Sequence, residues 1–157
     1  MPRKTEATTK TLRVLFVAAE ADPIIKVGGL GDVTGSLPRA IQALCPAQSM
    51  GYQVDIRLVI PLHPAIRKRG IQMEPLASFT VPHPDGPVEA RAFLTRLGDV
   101  PVYLISGEPI EREGPVYSLV TREDGNKFTF FSLAALELAK AISFQPRSCT
   151  FTTGTLP

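Results

Sequence analysis

Hydrophobic and polar positions alternate with long periods along this chain, and the pattern divides it into strands, helices and turns. Leu12-Arg13-Val14-Leu15-Phe16-Val17-Ala18-Ala19 is almost continuously apolar and rich in strand formers, which predicts a parallel strand buried on both faces. From Gly31 to about Leu44 the period lengthens. Val33, Leu37, Ala40, Ile41 and Leu44 recur at helical spacing and are predicted to pack on the sheet, with a bend or a later helix start imposed by Pro38. Gln53 to Ile60 reads as a second strand ended by Pro61, so that these pieces form a parallel strand–helix–strand unit.

Beyond a short helical turn at His63 to Arg69 the pattern shortens again. Phe79-Thr80-Val81, Val88 to Leu94 and Val100 to Ile105 read as strands, separated by Pro84-Asp85-Gly86-Pro87 and Leu97-Gly98-Asp99 turns. The middle strand alternates, which predicts one solvated face. Gly114 to Tyr117 and Asp124-Gly125-Asn126 read as loops. They lead into a helix from Lys127 to Ile142 whose Phe131, Ala134, Ala135, Leu138 and Ile142 share one face. After Pro146 the chain turns polar and threonine-rich, with no strand or helix pattern. The fold class expected is α/β: a partial, mostly parallel Rossmann-like sheet with a small antiparallel insertion.

Composition changes this picture little. At 157 residues and 44% hydrophobic the chain is one ordinary domain with enough apolar surface for a core. The net charge of +2 is spread along the chain, which argues against a nucleic-acid partner, and Arg67-Lys68-Arg69 reads as a solvated helix end. Cys45 and Cys149 are far apart and lack metal-ligand spacing, and a reducing cytoplasm is the expected location; no cofactor is expected. His63 and His83 each sit beside prolines, without a carboxylate or cysteine at metal spacing, and are assigned to surface loops. No apolar run is long enough to span a bilayer, and Met1 to Lys10 lacks the apolar core of a secretion signal.

Candidate chemistry is concentrated in Lys26-Val27-Gly28-Gly29-Leu30-Gly31-Asp32-Val33, between the first strand and the first helix. A glycine-rich bend opening a helix presents backbone N–H groups and the positive end of the helix dipole to an anion. Lys26 adds a mobile positive charge, and Gly28 and Gly29 let a ligand approach the backbone with no Cβ in the way. The same residues also satisfy a plain strand-to-helix turn, with Asp32 as an N-cap or first-turn acid. A P-loop needs its lysine after the glycines, so that motif fails. A dinucleotide fingerprint needs a third glycine, and the detour Glu20 to Ile25 is too long for it, which disfavours an NAD-binding oxidoreductase.

Phe16-Val17-Ala18-Ala19-Glu20, Pro23, Lys26 to Val33 and Leu37-Pro38 together resemble the amino-terminal signature of bacterial glycogen synthases and plant starch synthases. The stretch Tyr117 to Ala135 is similar to the synthase segment in which a Tyr precedes a Lys/Arg-Phe-x-x-Phe-Ser helix. The strands from Phe79 to Ile105 resemble the hairpin inserted after the second strand. The resemblance runs from about Leu12 to Pro146 and divides the chain into a flexible leader (1–11), an incomplete amino-terminal catalytic domain (12–146) and a tail (147–157).

The resemblance implies the front part of one domain of a two-Rossmann-domain glycosyltransferase. Its parent activity is retaining transfer of glucose from ADP-glucose or UDP-glucose to the non-reducing end of an α-1,4-glucan, with no required metal. It makes Lys26, Gly28 and Gly29 donor-phosphate contacts, and Asp32 and Glu20 possible cleft residues. A non-catalytic nucleotide-sugar or glucan-binding module is the alternative function, and a remnant without a biochemical role is a third. Family members continue after this point with a strand and His-x-x-Asp-Trp-His, which the tail lacks. Codons CGA TCT TGC ACT TTC ACG ACT GGC AC for Arg147 to Thr155, read from the third base, spell Ile-Leu-His-Phe-His-Asp-Trp-His. The tail is therefore expected to be an out-of-frame reading of that signature.

Overall fold

A computed structural model describes residues 9–152. The element order is β1 (Lys10–Ala18), α1 (Gly29–Gln42), β2 (Tyr52–Pro61), α2 (Pro64–Lys68), β3 (Glu74–Val81), β4 (Val88–Leu97), β5 (Val100–Gly107), α3 (Glu108–Glu111), α4 (Thr121–Ala141) and β6 (Ser148–Thr152). The strands form one sheet in the order β3-β4-β5-β2-β1-β6. β1 pairs in parallel with β2 and β6, and β2 with β5, whereas β3–β4 and β4–β5 are antiparallel. The expected α/β class and the antiparallel insertion are both present, and β5 carries Tyr103 back to the main sheet opposite Val59.

Strand alternation divides the core into two layers. Leu15 and Val17 point to one face, where Val59, Tyr103 and Ile105 meet Phe130, Phe131, Ala134, Ala135 and Leu138 of α4. The α4 face expected from the sequence is the one that packs, with Ile142 partly buried at its end. Phe16 and Ala18 point to the other face, with Ile56, Leu58, Ile60, Val102 and Leu104, and are covered by Ala21, Ile24, Ile25 and Ile66. A strand with both faces covered has no place for polar side chains in its middle, which is why β1 and β2 read as unbroken apolar runs.

Five details differ from the sequence expectation. α1 starts at Gly29 and runs through Pro38 rather than beginning after it. Its buried positions are Gly31, Thr34, Gly35 and Pro38, while Val33, Leu37 and Ala40 are exposed. The cause is close approach: a Cβ on Gly35 would lie 2.1 Å from the Asp22 carbonyl oxygen, so small residues must face the loop that follows β1. α4 begins at Thr121, so Asp124-Gly125-Asn126 is helical, with Glu123 and Asp124 as first-turn acids at the positive end of the dipole.

β1 begins at Lys10, so Lys10 and Thr11, assigned to the leader, belong to the sheet. Residues 1–8 lie outside the described residues. The tail contains β6, which pairs with Val14 to Ala18 of β1. Its polar composition conceals a strand because threonine and phenylalanine favour extended backbone.

Candidate functional site

In an open parallel sheet, ligands gather at the carboxyl ends of strands where successive connections leave in opposite directions. Here β1 is that strand: the chain passes from it through α1 to β2 on one side, and returns through α4 to β6 on the other. The segment leaving β1 is the glycine-rich loop, so topology and motif place the candidate site together.

The loop is built around Glu20, whose side chain is almost fully buried at 1% exposure. Its Oε2 accepts hydrogen bonds from the backbone N–H groups of Val27 and Gly28, the latter at 3.1 Å. Its Oε1 accepts one from the Tyr117 hydroxyl at 3.2 Å, and its backbone carbonyl accepts one from the Thr34 hydroxyl. Four donors from three distant segments thus converge on one residue. Asp22 N–H donates to the Gly31 carbonyl at 3.0 Å, which closes the loop onto α1. Glu20 is therefore placed beneath the loop, holding its backbone, rather than on its open side. Burial, followed by the neighbouring Glu20 charge, raises the Tyr117 hydroxyl above the ordinary tyrosine range, so it remains a donor.

The open side carries Lys26, Gly28, Gly29 and Asp32, all exposed. Lys26 Nζ pairs with Asp32 Oδ1 at 2.6 Å. That hydrogen bond is the main cause of a raised lysine pKa, which keeps the ammonium charged. Asp32 lies in the first turn of α1, and its side chain is engaged by Lys26; the N-cap is Gly28, with no side-chain capping bond. A Cβ on Gly29 would meet nothing within 4 Å, and one on Gly28 would approach only Glu20 Oε1 at 3.9 Å, so both positions are open to a ligand. Gly31 differs, because its Cβ would lie 3.0 Å from Lys26 Cγ. Gly31 N–H donates to the carbonyl of the N-cap Gly28 at 3.2 Å, while the N–H groups of Gly29 and Leu30 precede the first intrahelical bond and, together with Lys26, form a cationic, hydrogen-bond-donating rim suited to a phosphate.

His63 does not occupy the expected surface loop. It follows β2 and is 3% exposed, and burial, with the Lys127 charge second, lowers its pKa to about 4. Its Nε2 has no hydrogen-bond partner among the described residues. Nothing in the local sequence marks its burial, and the Lys127 charge that acts on it comes from α4, far later in the chain. His83 lies in the β3–β4 turn, where Nδ1 accepts the Asp85 N–H at 3.3 Å. A separate cavity of about 470 Å³, lined by His83, Asp85, Glu108, Arg112, Glu123 and Lys127 among others, shares no residue with the loop. Among the described residues no cluster of three or more His, Cys, Asp or Glu could hold a metal ion, and no helix is long and apolar enough to cross a membrane.

The family model for the starch synthase catalytic domain matches residues 13–149, ending inside β6. The chain is 34% identical over 141 residues to the glycogen synthase of Vibrio parahaemolyticus, a match that covers 88% of this chain and 27% of that protein. It is 37% identical over 140 residues to the glycogen synthase of Lacticaseibacillus casei, covering 86% of this chain and 26% of that protein. It thus spans about a quarter of the length of these relatives. Among solved structures, the catalytic domain of starch synthase IV from Arabidopsis thaliana, bound to ADP and acarbose, superposes with a TM-score of 0.73 at 24% identity. That match covers 90% of this chain and 28% of the other, and it shows a shared fold.

Proposed function

This chain belongs to the starch synthase catalytic-domain family, and from that premise we propose that it is the front part of a glucosyltransferase that moves glucose from ADP-glucose to the non-reducing end of an α-1,4-glucan. The observation that carries this reading is the glycine-rich loop at the carboxyl end of β1, with Lys26 and the first turn of α1 on its open side and Glu20 fixing it from beneath. Lys26 and the α1 dipole offset the charge of the donor diphosphate, which grows as the nucleotide departs. Gly28 and Gly29 admit the phosphate oxygens close to the backbone. Lys26 reaches the donor by exchanging its Asp32 partner for phosphate, and Asp32, so released, borders the glucose side of the cleft.

The family resemblance assigns most nucleotide contacts to a second Rossmann-like domain outside these residues. The 157 residues alone are accordingly assigned donor binding without glucose transfer. Residues 12–146 form the incomplete catalytic domain, and residues 147–157 are proposed to be an out-of-frame reading of a strand ending in His-Asp-Trp-His.

Titration with ADP-glucose, followed by chemical-shift changes at residues 26–32, tests the donor site. Saturable shifts are expected, reached only at markedly higher ADP-glucose concentration in Lys26→Ala. Shifts with NAD(H) but not with ADP-glucose would overturn the reading in favour of a dinucleotide site. The nucleotide sequence across the Pro146 codon tests the tail: a downstream frame that never encodes His-Asp-Trp-His removes that part of the proposal.

A further inference from the structure

Tyr117 is gripped on both sides by one ion pair that belongs to a different element. Lys127, in α4, is 9% exposed, and its Nζ donates to the carbonyl of Val116 at 2.6 Å while pairing with Asp124 Oδ1 at 3.0 Å. Both oxygens of Asp124 accept the N–H of Ser118, at 2.9 and 3.0 Å. The residue before Tyr117 is thus fixed by the cation and the residue after it by the anion. Tyr117, so held, donates to Glu20, and Glu20 accepts the N–H groups of Val27 and Gly28.

We propose that Lys127 and Asp124 are positioning residues for the donor loop, acting through Tyr117 and Glu20. The inference rests on the assignment of Lys26, Gly28 and Gly29 to the donor, but the mechanical link can be tested without it. Each partner of the pair bonds the backbone beside Tyr117, and a largely buried ion pair holds its geometry more firmly than an exposed one because solvent competes less for its hydrogen bonds. A clamp of this kind fixes the backbone N–H directions of the loop before any ligand arrives, which is how a site avoids spending binding energy on ordering itself. If the pair served α4 alone, its loss would be felt at the helix start and at Ser118, and would stop there.

The test uses the full 157-residue chain, 15N-labelled, with amide hydrogen exchange measured for wild type, Lys127→Met, Asp124→Asn, Tyr117→Phe and the Lys127→Met/Tyr117→Phe double variant. Exchange at Val27 and Gly28 is expected to accelerate by roughly tenfold in Tyr117→Phe and in Lys127→Met, the scale of one lost buried hydrogen bond. Amides in the middle of β2 and β5 should be unchanged. The double variant should exchange no faster at these two amides than Tyr117→Phe alone, because the same link is already cut, and Lys127→Arg should restore most of the protection.

Wild-type exchange at Val27 and Gly28 in Lys127→Met, or multiplied effects in the double variant, would overturn the proposal. Should Lys127→Met fail to fold, Asp124→Asn decides instead, since it keeps the shape and an acceptor while losing the charge. An ADP-glucose titration of the same samples separates the two levels. Absence of binding by wild type removes the donor assignment, whereas the exchange data still decide the clamp.

Discussion

The Tyr117 hydroxyl donates to Glu20 Oε1 across 97 positions of sequence, and it does so at the one residue whose other oxygen organises the glycine-rich loop. Replacing Glu20 with alanine therefore removes a buried acceptor shared by three donors. A lost partner for a buried donor costs about 1–3 kcal/mol, and the three share one carboxylate, so Glu20→Ala is expected to lower stability by about 2–4 kcal/mol in urea unfolding. Glu20→Gln, which keeps one carbonyl oxygen, should lose roughly half as much. A Glu20→Ala variant within about 0.5 kcal/mol of wild type would show that the loop is held by something else.

Lys26 behaves oppositely. Its partner Asp32 is exposed and so is Lys26 itself, and exposed ion pairs contribute about 0–1 kcal/mol. Lys26→Ala should leave the unfolding midpoint nearly unchanged while weakening ADP-glucose binding by about tenfold or more. Wild-type binding should itself weaken as sodium chloride is added, because the attraction is between exposed charges. Equal affinity of Lys26→Ala and wild type for ADP-glucose would remove Lys26 from the site.

The contrast between these two residues bears on what the sequence reveals. Lys26, Gly28, Gly29 and Asp32 are legible because they are adjacent and their chemistry is exposed. Glu20 looks like one more cleft carboxylate, and its inward role depends on Tyr117, which no local pattern places beside it. The face of α1 is misread for a related reason: periodicity assumes that large apolar residues seek the core, but here the loop after β1 lies so close that Gly31, Thr34, Gly35 and Pro38 win the buried positions. β1, β2 and the packed face of α4 are legible because their burial is two-sided or strictly periodic. β6 is hidden by polar side chains that are still good strand formers.

Gly35 gives the sharpest steric prediction. A methyl group there would meet the Asp22 carbonyl oxygen at 2.1 Å, a backbone atom that cannot swing aside, so α1 must separate from the loop. Gly35→Ala is expected to cost about 2–4 kcal/mol despite the higher helix propensity of alanine, which by itself would stabilise by about 1 kcal/mol. Gly29→Ala, with nothing within 4 Å, should change stability by no more than about 1 kcal/mol in either direction. Thermal unfolding of the two variants side by side measures the difference, and comparable midpoints would show that the helix and loop can part without penalty.

His63 makes stability depend on pH in a window that its own shift defines. The folded chain holds the imidazole neutral down to about pH 4, because burial and the neighbouring Lys127 charge disfavour the cation, whereas the unfolded chain protonates it near 6.5. Between those values the unfolded state binds more protons, so stability rises with pH and is progressively lost as pH falls from 6.5 towards 4. A difference of that size corresponds to at most about 3 kcal/mol. His63→Phe removes the titration together with the unpartnered Nε2, leaving a ring of similar size. Urea unfolding at pH 7.5, 6, 5 and 4.5 should show the wild-type free energy falling more steeply than that of His63→Phe, with the gap opening below pH 6.5. Parallel pH profiles would mean that the imidazole is solvated or finds a partner when charged, and that the acid sensitivity of this chain arises in its carboxylates.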